Sequence, residues 1–302
     1  MPSAIILCAG FGTRLRPLTD EVPKPLVPVG DRTILEHALS GLEAAGIREA
    51  VVNVHHLPEQ FAGVVSASSV HVRVLVESEI RGTAGGVAGA RAYLSTAPVL
   101  VWNGDILATP PIERLLACCE AQSFCLAVAP RSQADGTVGL DAEGNVVRLR
   151  GERFGTEVRS ADYVGVLALG ADALASLPER GCLFGDAALP LLRSGGRVRT
   201  VAVNGPWTDA GDPHSLLDAN LAWLAARGAG SFMGPGAAVA PGVEARQAVI
   251  GAGARVEGQG AIERCLICPG AHAFAPLKDV IVAPSGRVID ARRDRRMDAT
   301  RV

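Results

Sequence analysis

The residues with the clearest chemical purpose lie in one short stretch near the start of the chain, LCAGFGTRLRPLTDEVPKPLVPVG. Gly10 and Gly12 leave backbone N–H groups open to close approach by a ligand, because glycine has no Cβ. Arg14 and Arg16 add positive charge, and Lys24 stands between prolines that hold the segment extended. Backbone donors, two guanidinium groups and one rigidly held ammonium predict a site for a polyphosphate.

Two familiar phosphate-binding loops do not fit this stretch. A Walker A loop requires G-x-x-x-x-G-K-[ST], and no such string occurs in the sequence. A dinucleotide fingerprint requires G-x-G-x-x-G, and the third glycine position holds Leu15. The phosphate site is therefore predicted from the whole string and not from the bare G-x-G.

Two aspartates follow predicted strands and could hold a cation. Asp105 ends the string NGD, and Asp209 lies within WTDAG. Two carboxylates together with triphosphate oxygens make an oxygen-only site of the kind that suits Mg²⁺. The alternative for each aspartate is a structural role as a helix cap or a turn residue.

Composition excludes several classes of partner. The chain has 302 residues, of which 48% are hydrophobic and 20% charged, and a formal net charge of −2. This balance predicts neither nucleic acid nor an anionic membrane as a partner, and no apolar run reaches the length of a membrane span. We expect no signal peptide. Seven cysteines at irregular spacings are typical of reduced thiols in a cytoplasmic protein, and the lone CxxC at Cys265 does not predict zinc.

The element pattern predicts an α/β fold. Buried-strand runs alternate with helical patterns; they are Ala4–Cys8, Ala50–Val54, Val70–Val76, Val99–Trp102 and Phe124–Ala129. The strings VGLDAEGNVVRL and ADYVGVLAL then predict an antiparallel hairpin and a further strand. We predict a Rossmann-like mixed, mostly parallel sheet with helices on both faces.

A six-residue period follows this pattern. Ile250, Val256, Ile262 and Cys268 fall at successive sixes between Gly- and Pro-rich turns. Such a period predicts a short left-handed parallel β-helix with one apolar residue per hexad pointing inward. We expect three segments, a domain over 1–226, the β-helix over 232–289 and a charged tail over 290–302. A β-helix with few rungs should serve assembly rather than chemistry, which makes a homo-oligomer possible.

The strings AGFGTRLRPLT and PKPLVPVG resemble the signature of the sugar nucleotidyltransferases, also called nucleoside-diphosphate-sugar pyrophosphorylases. The similarity is greatest to the branch with mannose-1-phosphate guanylyltransferases and N-acetylmuramate-1-phosphate uridylyltransferases. It covers residues 3–226. The family's NGD and W-x-D-x-G aspartates hold magnesium, which implies the same role for Asp105 and Asp209. The string GTAGG, residues 82–86, resembles a family segment that borders the nucleotide base.

The resemblance implies a role for each matching residue. Arg14 and Lys24 would be the catalytic cations. Groups around the nucleotide would come from Leu7, Ala9, Gly10, Gly12, Thr13, Gly82, Thr83 and Gly104. Groups around the sugar phosphate would come from Gly139, Arg150, Arg153 and Gly165.

The sequence departs from the family pattern in two places. Many members carry Glu-Lys-Pro after the hairpin, and its lysine contacts the sugar phosphate. This chain has RLRGER there, so Arg150 or Arg153 would have to take the place of the lysine. The second departure is Asp212, where many relatives have Thr or Ser.

The resemblance predicts transfer of a nucleotidyl group from a nucleoside triphosphate (NTP) to a sugar 1-phosphate, with Mg²⁺ as cofactor. We expect an activity like that of mannose-1-phosphate guanylyltransferase. The alternatives are a sugar-1-phosphate uridylyltransferase and a non-catalytic homologue that binds nucleotide sugars for regulation. A hexapeptide acyltransferase using His272 and a Rossmann dehydrogenase fit the sequence less well.

Overall fold

The computed structural model describes residues 3–94, 97–131 and 136–292. Contacts divide the chain into two compact units. Unit 1 runs to Phe11 and resumes over Leu35–Thr208, whereas unit 2 holds Gly12–Ile34 and the chain from Asp209 onward. The predicted polyphosphate loop is therefore divided between the two units after its first strand and glycine.

Strands and helices alternate in the first part of the chain, and runs of consecutive strands follow further on. The strands are β1 (Ser3–Leu7), β2 (Pro28–Val29), β3 (Arg32–Thr33), β4 (Glu49–Val54), β5 (His71–Val76), β6 (Val99–Asn103), β7 (Ile106–Leu107), β8 (Phe124–Arg131), β9 (Val138–Leu140), β10 (Val146–Leu149), β11 (Glu152–Arg153), β12 (Arg159–Leu169), β13 (Val198–Ala202), β14 (Thr208–Asp209), β15 (Ser231–Met233), β16 (Ala238–Val239), β17 (Val243–Ile250), β18 (Arg255–Ile267), β19 (His272–Val282) and β20 (Val288–Asp290). The α-helices are α1 (Ile34–Ala44), α2 (Phe61–Ser66), α3 (Gly82–Ala90), α4 (Ile112–Cys118), α5 (Ala171–Ala175), α6 (Leu189–Arg193) and α7 (Pro213–Ala226). Among the described helices, none is both long and apolar enough to cross a membrane.

Unit 1 is built on one mixed sheet. Its strand order is β11-β10-β9-β12-β6-β1-β4-β5, and β8 joins β12 to β13. The neighbours β6, β1, β4 and β5 run parallel, whereas β12 is antiparallel to β6, β8 and β9. The predicted α/β class with a mixed sheet is therefore confirmed, and the carboxyl ends of the parallel strands meet at one edge.

Helices cover both faces of this sheet, as predicted. Val101 packs in a buried cluster with Ala84 and Val87 of α3. The next residue, Trp102, points to the opposite face, because side chains alternate along a strand. There its ring lies so close to α1 that a Cβ on Gly41 would stand 3.1 Å away. The buried strands are therefore apolar on both faces, which explains their continuous hydrophobic runs.

Unit 2 contains a second sheet, of order β15-β17-β18-β19-β20 with β16 paired to β18. All pairs are parallel except β19 with β20. Ser231 pairs with Ala248 and Arg255 with His272, so partners are 17 residues apart in both pairs. The four side chains predicted to point inward are all buried, namely Ile250, Val256, Ile262 and Cys268.

Helix α7 packs on this second sheet, against β17, β18 and β19. Three consecutive residues, Ala248, Val249 and Ile250, are buried in β17, so both faces of the strand are covered. Helix α7, which ends at the predicted boundary of residue 226, therefore covers one face of the sheet that contains the hexads, and both belong to unit 2. The predicted tail begins inside β20, and residues 293–302 of it lie outside the described residues.

The end of the polyphosphate loop packs on α7. Strands β2 and β3 form a short hairpin, and the Gly30 N–H at its turn donates to Asn220 Oδ1 at 2.9 Å. Asn220 Nδ2 donates to the Pro28 carbonyl at 3.2 Å. Gly30 lies against the Trp223 indole, so that a Cβ there would overlap the ring. The conformation is also left-handed, with φ of 66°. Residues 28–30 therefore fix the end of the loop on α7.

We predict that Gly30→Ala lowers the free energy of unfolding by about 3 kcal/mol or more, because a left-handed backbone and a steric overlap both oppose the methyl group. Gly228→Ala is the matched control within unit 2, since Gly228 has φ of 62° but open space around its Cα. The control should lose about 1 kcal/mol. Urea denaturation measures both values, and equal losses would show that Trp223 gives way.

Candidate active site

Two cations of the polyphosphate loop converge on one aspartate in unit 2. Arg14 Nη2 lies 3.5 Å from Asp209 Oδ2, and Lys24 Nζ lies 3.6 Å from Asp209 Oδ1. Lys24 is 8% exposed, whereas the Arg14 side chain is half exposed. Three residues that the sequence singled out thus lie together, although they come from distant parts of the chain.

Small residues make this arrangement possible. A Cβ on Gly12 would stand 2.9 Å from Thr19 Cγ2 and 3.0 Å from Lys24 Cβ. The Thr19 hydroxyl donates to the Gly12 carbonyl at 2.9 Å, which closes the loop on itself. A Cβ on Gly211 would overlap Arg14 Nη2 and stand 2.7 Å from Asp209 Oδ1. Both glycines therefore give the cations room to approach the loop backbone and the aspartate.

The helix cap near this cluster is Asp212, not Asp209. Asp212 precedes α7, and its Oδ1 accepts the Ser215 N–H at 2.9 Å while Ser215 Oγ accepts the Asp212 N–H at 3.1 Å. Asp, Ser and Thr are all good N-caps, so the departure from the family residue preserves the physical role. Asp209 is accordingly free of the capping role that was its structural alternative.

In unit 1, the end of β1 is pressed against the NGD turn. The Gly104 N–H donates to the Leu7 carbonyl at 2.9 Å, and a Cβ on Gly104 would stand 2.7 Å from Cys8 Sγ. Ala9 is buried beyond it, whereas Gly10 is exposed. The glycine in NGD is therefore needed for close packing of two strand ends.

Asp105 places negative charge beside two buried groups. Burial, and then the Asp105 carboxylate, raises the pKa of Cys8 well above its ordinary value. Burial and Asp105 also raise the pKa of Tyr163. Both side chains therefore stay neutral at physiological pH. Asp105 itself does not cap α4, whose N-cap is Pro111.

A buried polar pair that the sequence did not reveal holds the ends of β1, β4 and β5. Asn53 Oδ1 accepts the Cys8 N–H at 3.0 Å, and Asn53 Nδ2 donates to Glu77 Oε1 at 2.7 Å. The Arg81 N–H donates to Glu77 Oε2 at 3.4 Å. A Cβ on Gly86 would stand 2.6 Å from Asn53 Nδ2. The only sequence signal for this pair was a polar residue at the end of each strand, together with the nearby glycines of the GTAGG string.

The GTAGG segment is shaped by close packing. A Cβ on Gly82 would overlap the Gly181 carbonyl, and one on Gly85 would stand 2.5 Å from the Glu179 carbonyl. The Leu183 N–H donates to Thr83 Oγ1 at 2.8 Å. The glycines thus let α3 pack closely against the segment before α6. Close packing therefore explains these glycines, in addition to the predicted space for a nucleotide base.

Of the two arginines predicted for the sugar phosphate, Arg150 is the one near the GTAGG contacts. Its Nη1 lies 3.6 Å from Cys182 Sγ. Burial raises the pKa of the Cys182 thiol, but amide hydrogen bonds from Gly185 and Phe184, together with Thr83 and the Arg150 charge, outweigh burial and lower that pKa. Cys182 precedes Leu183, whose N–H donates to Thr83. Arg150 therefore lies close to the GTAGG segment, which is predicted to border the nucleotide base.

The other sugar-phosphate residues lie in two further places. Arg153 is exposed and paired in register with Arg148. The side-chain hydrogen bond and charge of Arg148, followed by the Arg153 charge, lower the pKa of Glu157. A Cβ on Gly139 would stand 2.5 Å from Glu157 Cδ, and one on Gly165 would stand 3.3 Å from Asn103 Nδ2. Arg153 and Gly139 are thus near Glu157, whereas Gly165 is near the NGD turn.

The donor set around Asp209 fits a hard cation. Asp209 Oδ1 is buried and receives no hydrogen bond, so a carboxylate lone pair remains available. Across the described residues, no three His, Cys, Asp or Glu side chains form a metal site by themselves. Mg²⁺ is commonly bound by one or two carboxylates together with substrate phosphates and waters, so a complete cage of protein ligands is not required.

Comparisons with known proteins match most of the chain. Residues 3–226 match the family model for nucleotidyl transferases. The N-acetylmuramate alpha-1-phosphate uridylyltransferase of Caulobacter vibrioides is 34% identical over 236 residues, which cover 72% of this chain and 94% of that enzyme. A probable mannose-1-phosphate guanylyltransferase 2 of Arabidopsis thaliana is 30% identical, and the match covers 71% of this chain and 63% of that protein.

A solved structure shows the same fold. HddC from Yersinia pseudotuberculosis, complexed with GMP-PN, superposes with a TM-score of 0.63 at 19% identity, covering 74% of this chain and all of that one. The family model extends over the predicted signature, the NGD turn and the WTDAG string. The chain belongs to the nucleotidyl transferase family.

We predict that Gly211→Ala weakens binding of an NTP about tenfold with little loss of stability. The new methyl group would displace the half-exposed Arg14 side chain from Asp209, and a flexible arginine moves at small cost. Gly230→Ala is the control, because nothing lies within 4 Å of a Cβ at that position. Calorimetric titration with GTP and UTP measures the affinity, and an unchanged affinity would remove Arg14 from the triphosphate site.

Proposed function

We propose that the protein transfers a nucleotidyl group from an NTP to a sugar 1-phosphate and releases pyrophosphate. The observation that carries the proposal is the convergence of Arg14 and Lys24 on Asp209, in a chain of the nucleotidyl transferase family. The names of the relatives support the choice of sugar 1-phosphates as acceptors.

The protein's task in this reaction is positioning and charge neutralisation. A phosphate oxygen of the sugar 1-phosphate attacks the α-phosphorus of the NTP, and the bond to the β-phosphate bridging oxygen breaks. Arg14 and the glycine loop would hold the β- and γ-phosphates and stabilise the departing pyrophosphate. Lys24 would contact both the α-phosphate and the incoming phosphate. Asp209 and Asp105 are the proposed ligands for Mg²⁺, which when bound neutralises the charge of the triphosphate.

For the nucleotide, we propose guanylyl transfer to mannose 1-phosphate as the first activity to test and uridylyl transfer as the second. Mannose-1-phosphate guanylyltransferases recur among the names of the relatives, which supports this order. The uridylyltransferase is matched over more of its length, which keeps uridylyl transfer as the alternative. A panel of five NTPs against several hexose, aminosugar and N-acetylmuramate 1-phosphates, scored by pyrophosphate release with and without Mg²⁺, decides between them. If no pair turns over, the regulatory alternative replaces catalysis.

We predict that Asp209→Asn and Asp105→Asn each lower kcat by about 10² or more while the fold is kept, because each removes a charge that the proposal assigns to the metal. Asp172→Asn is the control, since Asp172 is an exposed residue in the first turn of α5. Steady-state kinetics over a range of Mg²⁺ concentrations provide the measurement. A near-normal rate in either variant would exclude that aspartate from the metal site.

We predict that Arg150→Ala raises the KM for the sugar 1-phosphate at least tenfold more than the KM for the NTP, since only one substrate loses a ligand. Arg153→Ala is the comparison, because the two arginines border the same short turn but only Arg150 lies beside Cys182. The reverse pattern would assign the sugar phosphate to Arg153, and equal effects on both substrates would refute the assignment to either arginine.

For the second sheet, we propose that its parallel strands form a short left-handed β-helix. The near-constant separation of paired residues, which is 17 at Ser231–Ala248 and Arg255–His272 and 15 at Cys265–Val280, and the buried hexad positions support this architecture. Phe274, Met233 and Val288 are large apolar side chains that remain exposed in unit 2. We propose that they take part in a homo-oligomer, which light scattering of the protein and of Phe274→Ser would test.

A further inference from the structure

The turn between β19 and β20 is tied to the polyphosphate loop by a two-point contact. The Ser285 N–H donates to Glu21 Oε2 at 2.9 Å, and the Ser285 hydroxyl donates to Glu21 Oε1 at 2.6 Å. Glu21 lies three residues before Lys24, and its own N–H is bonded to the Leu18 carbonyl. A carboxylate that accepts two hydrogen bonds from one residue is fixed in both position and orientation.

The same strand pair is also tied to the helix that follows Asp209. His214 Nδ1 lies 3.2 Å from the Ala291 carbonyl, immediately after β20. His214 is the second residue of α7, and Asp209 precedes that helix by a few residues. The β19–β20 hairpin therefore contacts the segments on both sides of the Lys24–Asp209 ion pair, and all of these residues belong to unit 2.

The β19–β20 hairpin is held together by strand pairing, by burial and by a closed turn. Val280, Ile281 and Val282 pair in register with Asp290, Ile289 and Val288. Ile281 and Ile289 are buried, and the turn is closed by the Ala283 N–H bonded to the Arg287 carbonyl at 2.9 Å. Glu21 also lies close enough to the buried Cys268 to act on it, since burial and then the Glu21 charge raise the pKa of Cys268 to about 12.

We propose that the β19–β20 hairpin is a brace that holds Lys24 in place beside Asp209, with Ser285 and Glu21 as positioning residues. The hexad-containing segment then takes part in building the catalytic loop as well as in assembly, contrary to the expectation from its sequence. The proposal assigns neither Ser285 nor Glu21 a contact with substrate. The effect on turnover rests on the proposed nucleotidyl transfer.

The brace can be tested without any assay of activity, because the chain contains only two lysines, Lys24 and Lys278. Lys278 is exposed and bonded to Glu263 at 3.0 Å, so it serves as an internal reference. Acetylation with a limiting amount of an amine-reactive ester, read by mass spectrometry, should be at least threefold faster at Lys24 in Ser285→Ala, relative to Lys278. Ser285→Thr keeps the hydroxyl and should restore the slow rate.

The matched control is Ser231→Ala. Ser231 is also in unit 2, and its hydroxyl donates to the Ala245 carbonyl at 3.0 Å, but its partner lies within the second sheet. This variant should leave the labelling of Lys24 unchanged. Glu21→Gln should increase that labelling at least as much as Ser285→Ala does, because alanine loses the hydroxyl hydrogen bond but keeps the backbone N–H that donates to Glu21. The double variant should add nothing to the effect of Glu21→Gln.

Turnover provides the second readout. Ser285→Ala should lower kcat about threefold to tenfold with the NTP KM changed less than twofold, because misplacing Lys24 weakens the transition state more than the ground state. Unchanged Lys24 labelling in both Ser285→Ala and Glu21→Gln overturns the brace, whether or not the wild type is active. Increased labelling with normal kcat overturns its catalytic role. A wild type that turns over no substrate refutes the proposed function, and the labelling then still decides whether the brace exists.

Discussion

A lysine ammonium removed from water is the constraint on which the organisation of unit 2 depends. Burying a charge without a partner is strongly unfavourable, so Lys24 requires a counter-charge where its loop places it. Asp209 provides that charge from a distant part of the sequence. The same requirement explains the two glycines beside the ion pair. A Cβ at Gly12 or Gly211 would collide with the cations or the carboxylate.

The ion pair in turn requires a loop with a fixed conformation. Hydrogen bonds and ring packing, more than charges, fix that conformation. The loop ends in a hairpin that Asn220 binds through hydrogen bonds and that Trp223 supports through ring contact. Both residues belong to α7, which also covers one face of the second sheet. One helix thereby joins the cationic loop to the hexad segment, so the two have a common framework within unit 2.

The sequence predicts the parts of this arrangement whose signal is local or periodic. Continuous apolar runs indicated the parallel strands, the hexads indicated which side chains are buried, and the signature string indicated which cations belong together. The pair Asn53–Glu77 could not be found in this way, because each is a single polar residue at a strand end and only tertiary structure brings them together. The packing of α7 on the second sheet likewise has no local signal, since an apolar helix face does not reveal which sheet it covers.

Hydrogen bonding distinguishes the carboxylates that fix loops from the carboxylate proposed to act in the chemistry. Glu77 accepts from Asn53 at one oxygen and from the Arg81 amide at the other, and Glu21 accepts at both oxygens from Ser285. Their acceptor capacity is engaged in fixing loops, so their contribution is geometric. Asp209 differs because one buried oxygen receives no hydrogen bond. Burying such an acceptor without a hydrogen bond has a cost, which the nearby Lys24 ammonium, 3.6 Å away, offsets in part. Among these three carboxylates, Asp209 is therefore the one that retains an acceptor for the proposed cation.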